Sequence, residues 1–136
     1  YTNYLPFKSE IKKNYLKEVK PKKNFTFEKF IKDTSIATST MIIKKSIIEN
    51  IKFSNTNICE DYFFKCQILK KITNAYCLSV NLMEYRIRKN SLQSNKLRNI
   101  YWIWYINKKM NQLGFFKNIV SLIYISTNSL KKYGFK

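Results

Sequence analysis

Ile58-Cys59-Glu60-Asp61-Tyr62-Phe63-Phe64 places two adjacent acids at the start of a helical pattern. The chain has eight Asp and Glu residues against 26 Lys and Arg residues, and Glu60-Asp61 is the only pair of neighbouring acids. Acids in the first turn of a helix offset its dipole and its free N–H groups, so the pair needs no further function. A carboxylate at this position can also act as a general base at the edge of a cleft. The pair by itself favours the first interpretation.

The helix that begins with these acids is predicted over residues 60–72. Phe64, Ile68 and Ile72 share one apolar face at helical spacing. The lysines of this helix are predicted to lie outside that face: Lys65, Lys70 and Lys71. Upstream, Thr26 is predicted to cap a short helix that contains Phe27, Phe30 and Ile31.

Extended segments flank the predicted helix on both sides. Residues 36–43 are rich in β-branched side chains, which predicts a buried strand. Shorter strands are predicted near the start of the chain, over residues 75–78 and over residues 82–87. Strands that alternate with helices indicate an α/β layer fold, here with an incomplete sheet.

The composition changes after about residue 95. Residues 100–106 are apolar on every side, and a second helix is predicted over residues 115–132 with Phe116, Ile119, Val120 and Ile123 on one face. One interpretation is that these helices cover the sheet, since helices that are apolar all round are usually buried. The other is contact with a membrane surface, in which amphipathic aromatics lie at the headgroups and lysines meet anionic lipid. The residues for that contact would be Trp102, Trp104, Lys108, Lys109, Lys131 and Lys132.

Length and composition limit the class of protein. A chain of 136 residues that is 45% hydrophobic can bury one core. It contains no histidine, which excludes Ser-His-Asp and Cys-His catalysis within the segment. Three cysteines without C-x-x-C spacing indicate neither a disulfide framework nor a zinc site. The net charge of +18 comes almost entirely from dispersed lysines, so nucleic acid is not the expected partner.

The order of motifs resembles the C-terminal half of glycosyltransferase family 2 enzymes, which have the GT-A fold. The resemblance covers residues 1 to about 98, with T-S-T-M-I-I, then I-K-F, then I-C-E-D-Y-F-F-K, then Y-R-I-R-K-N-S-L. Bacterial members that build lipopolysaccharide O-antigen or capsule sugars are the most similar. It implies a partial GT-A fold, with an acceptor-side half over residues 1–95 and a helical tail over residues 96–136. The chain is therefore expected to be a piece of a longer protein.

The resemblance also implies an activity, the inverting transfer of a sugar from a nucleotide-sugar donor to a glycan or lipid-linked acceptor. Asp61 matches the catalytic base of the family, and Glu60 would orient the acceptor or raise the pKa of Asp61. Residues that match the acceptor-side strand and the helix start are Thr38, Ser39, Thr40 and Tyr62. Residues that match a loop near the donor pyrophosphate are Tyr85, Arg86, Asn90, Ser91 and Ser94.

The sequence departs from the family pattern in two places. Of the usual Gly-Gly-Phe turn only Phe53 is present, and no D-x-D metal motif occurs. A divalent metal, Mg or Mn, is implied for the whole enzyme, with its ligands outside this segment. The expected location is cytoplasmic, with peripheral contact to the inner face of the plasma membrane through residues 100–136. The alternative function is a basic, non-enzymatic module that binds nucleic acid or an anionic membrane.

Overall fold

A computed structural model describes residues 1–8, 12–88, 91 and 95–133 of the chain, with the backbone alone at Tyr133. Asn90 and Ser94, two of the predicted donor-side residues, lie outside the described residues.

The strands form two small sheets. In the larger sheet, β1 (Thr2–Lys8) lies between β2 (Asn14–Tyr15), which is antiparallel to it, and β5 (Leu78–Ile87), which is parallel to it. The smaller sheet pairs β3 (Asn24–Phe25) with β4 (Ala75–Tyr76). Because parallel strands cannot be joined by a tight turn, the chain between β1 and β5 must cross over. That connection contains three helices, so the predicted mixed α/β architecture is confirmed at this level.

The helices of the crossover are α1 (Phe27–Phe30), α2 (Lys45–Ile48) and α3 (Glu60–Lys71). The predicted cap of α1 is confirmed, because the side chain of Thr26 accepts a hydrogen bond from the backbone N–H of Lys29 at 3.3 Å. The predicted start of α3 at the acid pair is also confirmed.

The prediction of a buried strand over residues 36–43 is wrong. Thr38–Thr40 forms a single 3₁₀ turn, and Ile42 is 94% exposed. The hydroxyl of Thr40 donates to the carbonyl of Ala37 at 2.8 Å, which holds the turn. Threonine side chains compete in this way with sheet hydrogen bonds, and β propensity is realised only where a neighbouring strand is available.

The core lies where α1, α3 and the tail meet. Phe30 is fully buried and stacks on the ring of Tyr62, with 5.6 Å between the ring centroids. Tail residues belong to the same cluster: Ile103, Ile106 and Leu113. The tail consists of α4 (Lys96–Tyr105), a π-helical turn (Ile106–Met110) and α5 (Phe115–Tyr133). One side of the tail therefore packs into a core that is formed largely by α1 and α3.

A buried polar network ties the tail to the rest of the protein. The Tyr62 hydroxyl donates to Oδ1 of Asn107 at 2.8 Å. Nδ2 of Asn107 then donates to Oδ1 of Asn118 and to Oγ of Ser121, each at 3.1 Å. Asn107, Asn118 and Ser121 are all fully buried. Among the helices that the structure describes, none has the length and apolar character needed to cross a membrane.

Candidate active site

The acid pair occupies the first turn of α3, as the sequence predicts. The preceding residue, Cys59, has a φ of 62°, a left-handed conformation that turns the chain sharply into the helix. Burial and the neighbouring carboxylates of Asp61 and Glu60 raise the pKa of the Cys59 thiol to about 12. A thiol that stays protonated is a poor nucleophile, so Cys59 shapes the turn rather than reacting.

Asp61 is held by two donors that both reach the same carboxylate oxygen. The ammonium of Lys65, one helical turn later, donates to Oδ2 of Asp61 at 2.9 Å. The hydroxyl of Thr38 donates to the same Oδ2 at 2.9 Å. Lys65 itself is only 5% exposed and also donates to the carbonyl of Ile36 at 3.1 Å. The carboxylate is thus fixed on one side, whereas its side chain retains 29% exposure.

The electrostatic balance favours the ionised form of Asp61. Burial acts to raise the pKa of this carboxyl, but the Lys65 ammonium and the hydrogen bonds from Lys65 and Thr38 outweigh it. The net result is a pKa below the ordinary value for aspartate. The net shift is thus opposite to the one that a neighbouring Glu60 carboxylate would produce, because the Lys65 ammonium dominates. Glu60 itself is exposed at the helix start.

Two further predicted residues lie near this carboxylate. Burial and the negative charge of Asp61 raise the pKa of the Tyr85 hydroxyl, and Tyr85 lies on β5 two residues after Met83. Ser39, next to Thr38, is exposed and donates to the sulfur of Met83 on β5 at 2.8 Å. The 3₁₀ turn, the start of α3 and β5 therefore meet around Asp61.

Other predicted residues are not brought to an open surface beside Asp61. Tyr62 is 4% exposed and points into the core, so it cannot contact a substrate without a rearrangement. Thr40 is 7% exposed, with its hydroxyl used inside its own turn. Arg86 is exposed but follows Tyr85 on a strand, and successive strand residues face opposite sides. Ser91 is half-buried.

A cavity of about 220 Å³ adjoins the buried side of the site. Its walls are mostly apolar, and its polar lining residues include Lys65, Lys44 and Asn74. Asp61 does not line this cavity. The cavity therefore reaches the lysine that fixes the carboxylate, but it does not by itself place a sugar hydroxyl against Asp61.

The described residues do not fit a divalent metal. No group of three or more His, Cys, Asp or Glu side chains in the described part of the chain could hold one. The two acids at this site do not suffice, since Oδ2 of Asp61 is already paired with an ammonium.

Lys65 is buried, whereas the sequence predicts that it lies outside the buried face of α3. The apolar pattern of α3 put it outside the buried face, where lysines usually stay solvated. The available signal was its spacing from Asp61, because residues four apart on a helix can form an ion pair. Spacing alone does not show that the pair is buried, which depends on Thr38 and on the carbonyl of Ile36.

Comparison with known proteins gives one informative match. Over 109 residues the chain is 28% identical to a Bacillus subtilis (strain 168) protein described as “Putative teichuronic acid biosynthesis glycosyltransferase TuaG”. The match covers 80% of this chain but only 43% of that relative, so the chain spans less than half of the relative's length. No family model matches the chain, and no solved structure matches it. The similarity supports a distant relationship to a glycosyltransferase.

Proposed function

We propose that this chain is the acceptor-side, base-bearing part of an inverting glycosyltransferase of family 2, with a partial GT-A fold. The observation that carries the proposal is Asp61, which is ionised, partly exposed and fixed by Lys65 and Thr38 at the start of α3. The similarity to a glycosyltransferase supports the reaction class. The substrates are a nucleotide-sugar donor and a glycan or lipid-linked acceptor. The whole enzyme would act at the cytoplasmic face of the membrane, and any divalent metal would be held outside this segment.

In this mechanism Asp61 accepts the proton of the acceptor hydroxyl. The acceptor oxygen forms a bond to the anomeric carbon of the sugar, while the bond from that carbon to the nucleotide phosphate oxygen breaks. Because Lys65 and Thr38 both donate to Oδ2, Oδ1 is the oxygen that receives the proton. A carboxylate of low pKa is a weak base, so the proton moves only once the attacking oxygen has become acidic through bond formation.

The remaining roles follow from position and charge. Glu60, exposed beside Asp61, orients the acceptor through a hydrogen bond to a second hydroxyl. Ser39 lies next to Thr38, which donates to the Asp61 carboxylate, and it would meet the acceptor there. Arg86 faces the other side of β5 from Tyr85, so it takes no part in the step at Asp61. The resemblance assigns a role near the donor pyrophosphate also to Ser91 and, outside the described residues, to Asn90 and Ser94.

The test is the Asp61→Asn variant of the full-length protein. Loss of the base should lower the rate of sugar transfer by about 10²- to 10⁴-fold, because a positioned general base contributes about that much. Glu49→Gln is the matched control, since it also replaces an exposed carboxylate by an amide but lies outside the site. Transfer by Asp61→Asn at the rate of the control would exclude Asp61 as the base.

A further inference from the structure

The long tail helix α5 has an unusual distribution of polar side chains. Its side that faces the protein carries Asn118, Ser121, Asn128 and Lys132, alongside the apolar Leu122 and Ile125. Nδ2 of Asn128 donates to the carbonyl of Lys32 at 3.0 Å, and Lys132 pairs with Asp33 at 3.0 Å. A helix on the surface of a soluble protein normally turns such polar groups to water. Here the polar groups instead attach the helix to the domain.

The opposite side of α5 is apolar and exposed. Phe116 is 81% exposed and Ile123 is 57% exposed, and between them Ile119 and Val120 lie on the same side at helical spacing. Phe115 extends this surface to α4, because its ring contacts that of Trp104 edge-to-face with 5.7 Å between the centroids. We call the exposed side chains of Phe115, Phe116, Ile119, Val120, Ile123 and Tyr124 the outer face of α5. A continuous apolar surface of this kind indicates an interaction site.

Charge identifies the kind of partner. After Glu84 the sequence contains eleven Lys and Arg residues and no Asp or Glu. Two exposed lysines lie on α5 itself, Lys117 and Lys131, and two more lie in the π-helical turn before it, Lys108 and Lys109. One of them, Lys117, reaches an acid elsewhere, Glu28, at 2.7 Å. An apolar strip accompanied by cations matches an anionic lipid surface, in which acyl chains receive the apolar groups and headgroups receive the lysines.

We propose that the outer face of α5 docks the protein onto an anionic phospholipid bilayer, with the helix lying in the plane of the membrane. An in-plane orientation agrees with the finding that no described helix is long and apolar enough to span a bilayer. The exposed tyrosine of this face, Tyr124, suits the boundary between headgroups and acyl chains. Nucleic acid would use the lysines but would leave the apolar strip exposed to water. The proposal does not depend on the role of Asp61.

The experiment is co-sedimentation of the full chain with vesicles of phosphatidylcholine alone or mixed with phosphatidylglycerol. We expect binding to the mixed vesicles and little binding to phosphatidylcholine alone. The double variant Phe116→Ser with Ile123→Ser should lower partitioning into mixed vesicles by at least about tenfold, because it removes two large apolar groups. Leu82→Ser is the matched control, since Leu82 is an apolar residue that is 69% exposed on β5. It should bind as the unsubstituted protein does.

Circular dichroism shows whether the variants remain folded. The single variant Phe116→Ser is a milder test, and we expect it to lower partitioning into mixed vesicles about threefold. Failure of the unsubstituted protein to bind mixed vesicles would overturn the proposal. Equal binding by the double variant would also overturn it, because binding would then rest on lysines alone. A dimer in solution that the double variant abolishes, without vesicle binding, would assign the outer face to a second copy of the chain.

Discussion

At the scale of single residues, the pair of Asp61 and Lys65 connects stability with the proposed chemistry. A buried ammonium needs a counter-charge, and a carboxylate that receives two hydrogen bonds is fixed in orientation. The Lys65 ammonium obtains its counter-charge from Asp61, and it also donates hydrogen bonds to the Thr38 hydroxyl and to the carbonyl of Ile36. The same contacts favour the ionised form of Asp61, and both of them use Oδ2 rather than Oδ1.

This pairing predicts a pH-dependent contribution to stability. The pKa of Asp61 in the folded protein lies below its value in the unfolded chain, about 3.9. Its contribution is therefore fully present above about pH 4 and is lost as the pH falls through the folded-state pKa. We expect Asp61→Asn to lower the free energy of unfolding by about 1–3 kcal/mol at pH 7, because Lys65 loses its counter-charge. The difference should shrink toward pH 2.

Urea unfolding of both proteins between pH 2 and pH 7 measures this difference. Glu49→Gln again serves as the control, because its exposed carboxylate has no buried cation to support. A difference between Asp61→Asn and the unsubstituted protein that stays constant over this range would contradict the linkage.

The sequence predicts Asp61 better than it predicts the partners of Asp61. Acids at a helix start follow from local electrostatics, so the position of Glu60 and Asp61 could be read from neighbouring residues. The burial of Lys65 and the inward orientation of Tyr62 depend on groups that lie far away in sequence. Tyr62, for example, bonds to Asn107, 45 residues later. No local pattern contains that information.

At the scale of secondary structure, hydrophobic periodicity predicts the long elements, whereas tertiary contacts determine the short ones. α5 was predicted over residues 115–132 and is found over Phe115–Tyr133. The segment over residues 36–43 has high β propensity but forms a 3₁₀ turn, because it packs near α3 and its Thr40 bonds locally. The apolar face predicted for α5 is the exposed one, which periodicity alone could not show.

The polar network around Asn107 predicts that the tail and the core unfold together. Asn107→Ala would remove the hydrogen bonds that Asn107 makes with the Tyr62 hydroxyl, Asn118 and Ser121, all of which are buried. We expect the free energy of unfolding to fall by about 2–4 kcal/mol, since each unsatisfied buried polar group costs about 1–3 kcal/mol. Urea unfolding measures the loss, and Asn55→Ala in an exposed loop is the matched control. A change no larger than that of the control would show that the network does not hold the tail.

At the scale of the whole molecule, a small sheet and a large positive charge both limit the stability of the fold. The larger sheet has three strands, and β5 at its edge exposes Leu78 and Leu82. These facts make the net charge of +18 a substantial factor in stability, because repulsion among lysines opposes a compact state that buries a modest core.

Salt should therefore stabilise this protein. The ion pairs Lys13–Glu84 and Lys117–Glu28 are largely exposed, and exposed pairs contribute little that salt could remove. Repulsion among the excess lysines acts over longer distances and is screened when the Debye length falls to about 8 Å at physiological ionic strength. We expect the midpoint of thermal unfolding to rise when the NaCl concentration is raised from about 20 to about 300 mM. The rise should be roughly 2–8 °C for each kcal/mol of repulsion that the salt removes. Sucrose of equal osmolality controls for solvent effects, and a midpoint that falls with added NaCl would show that native ion pairs outweigh the repulsion.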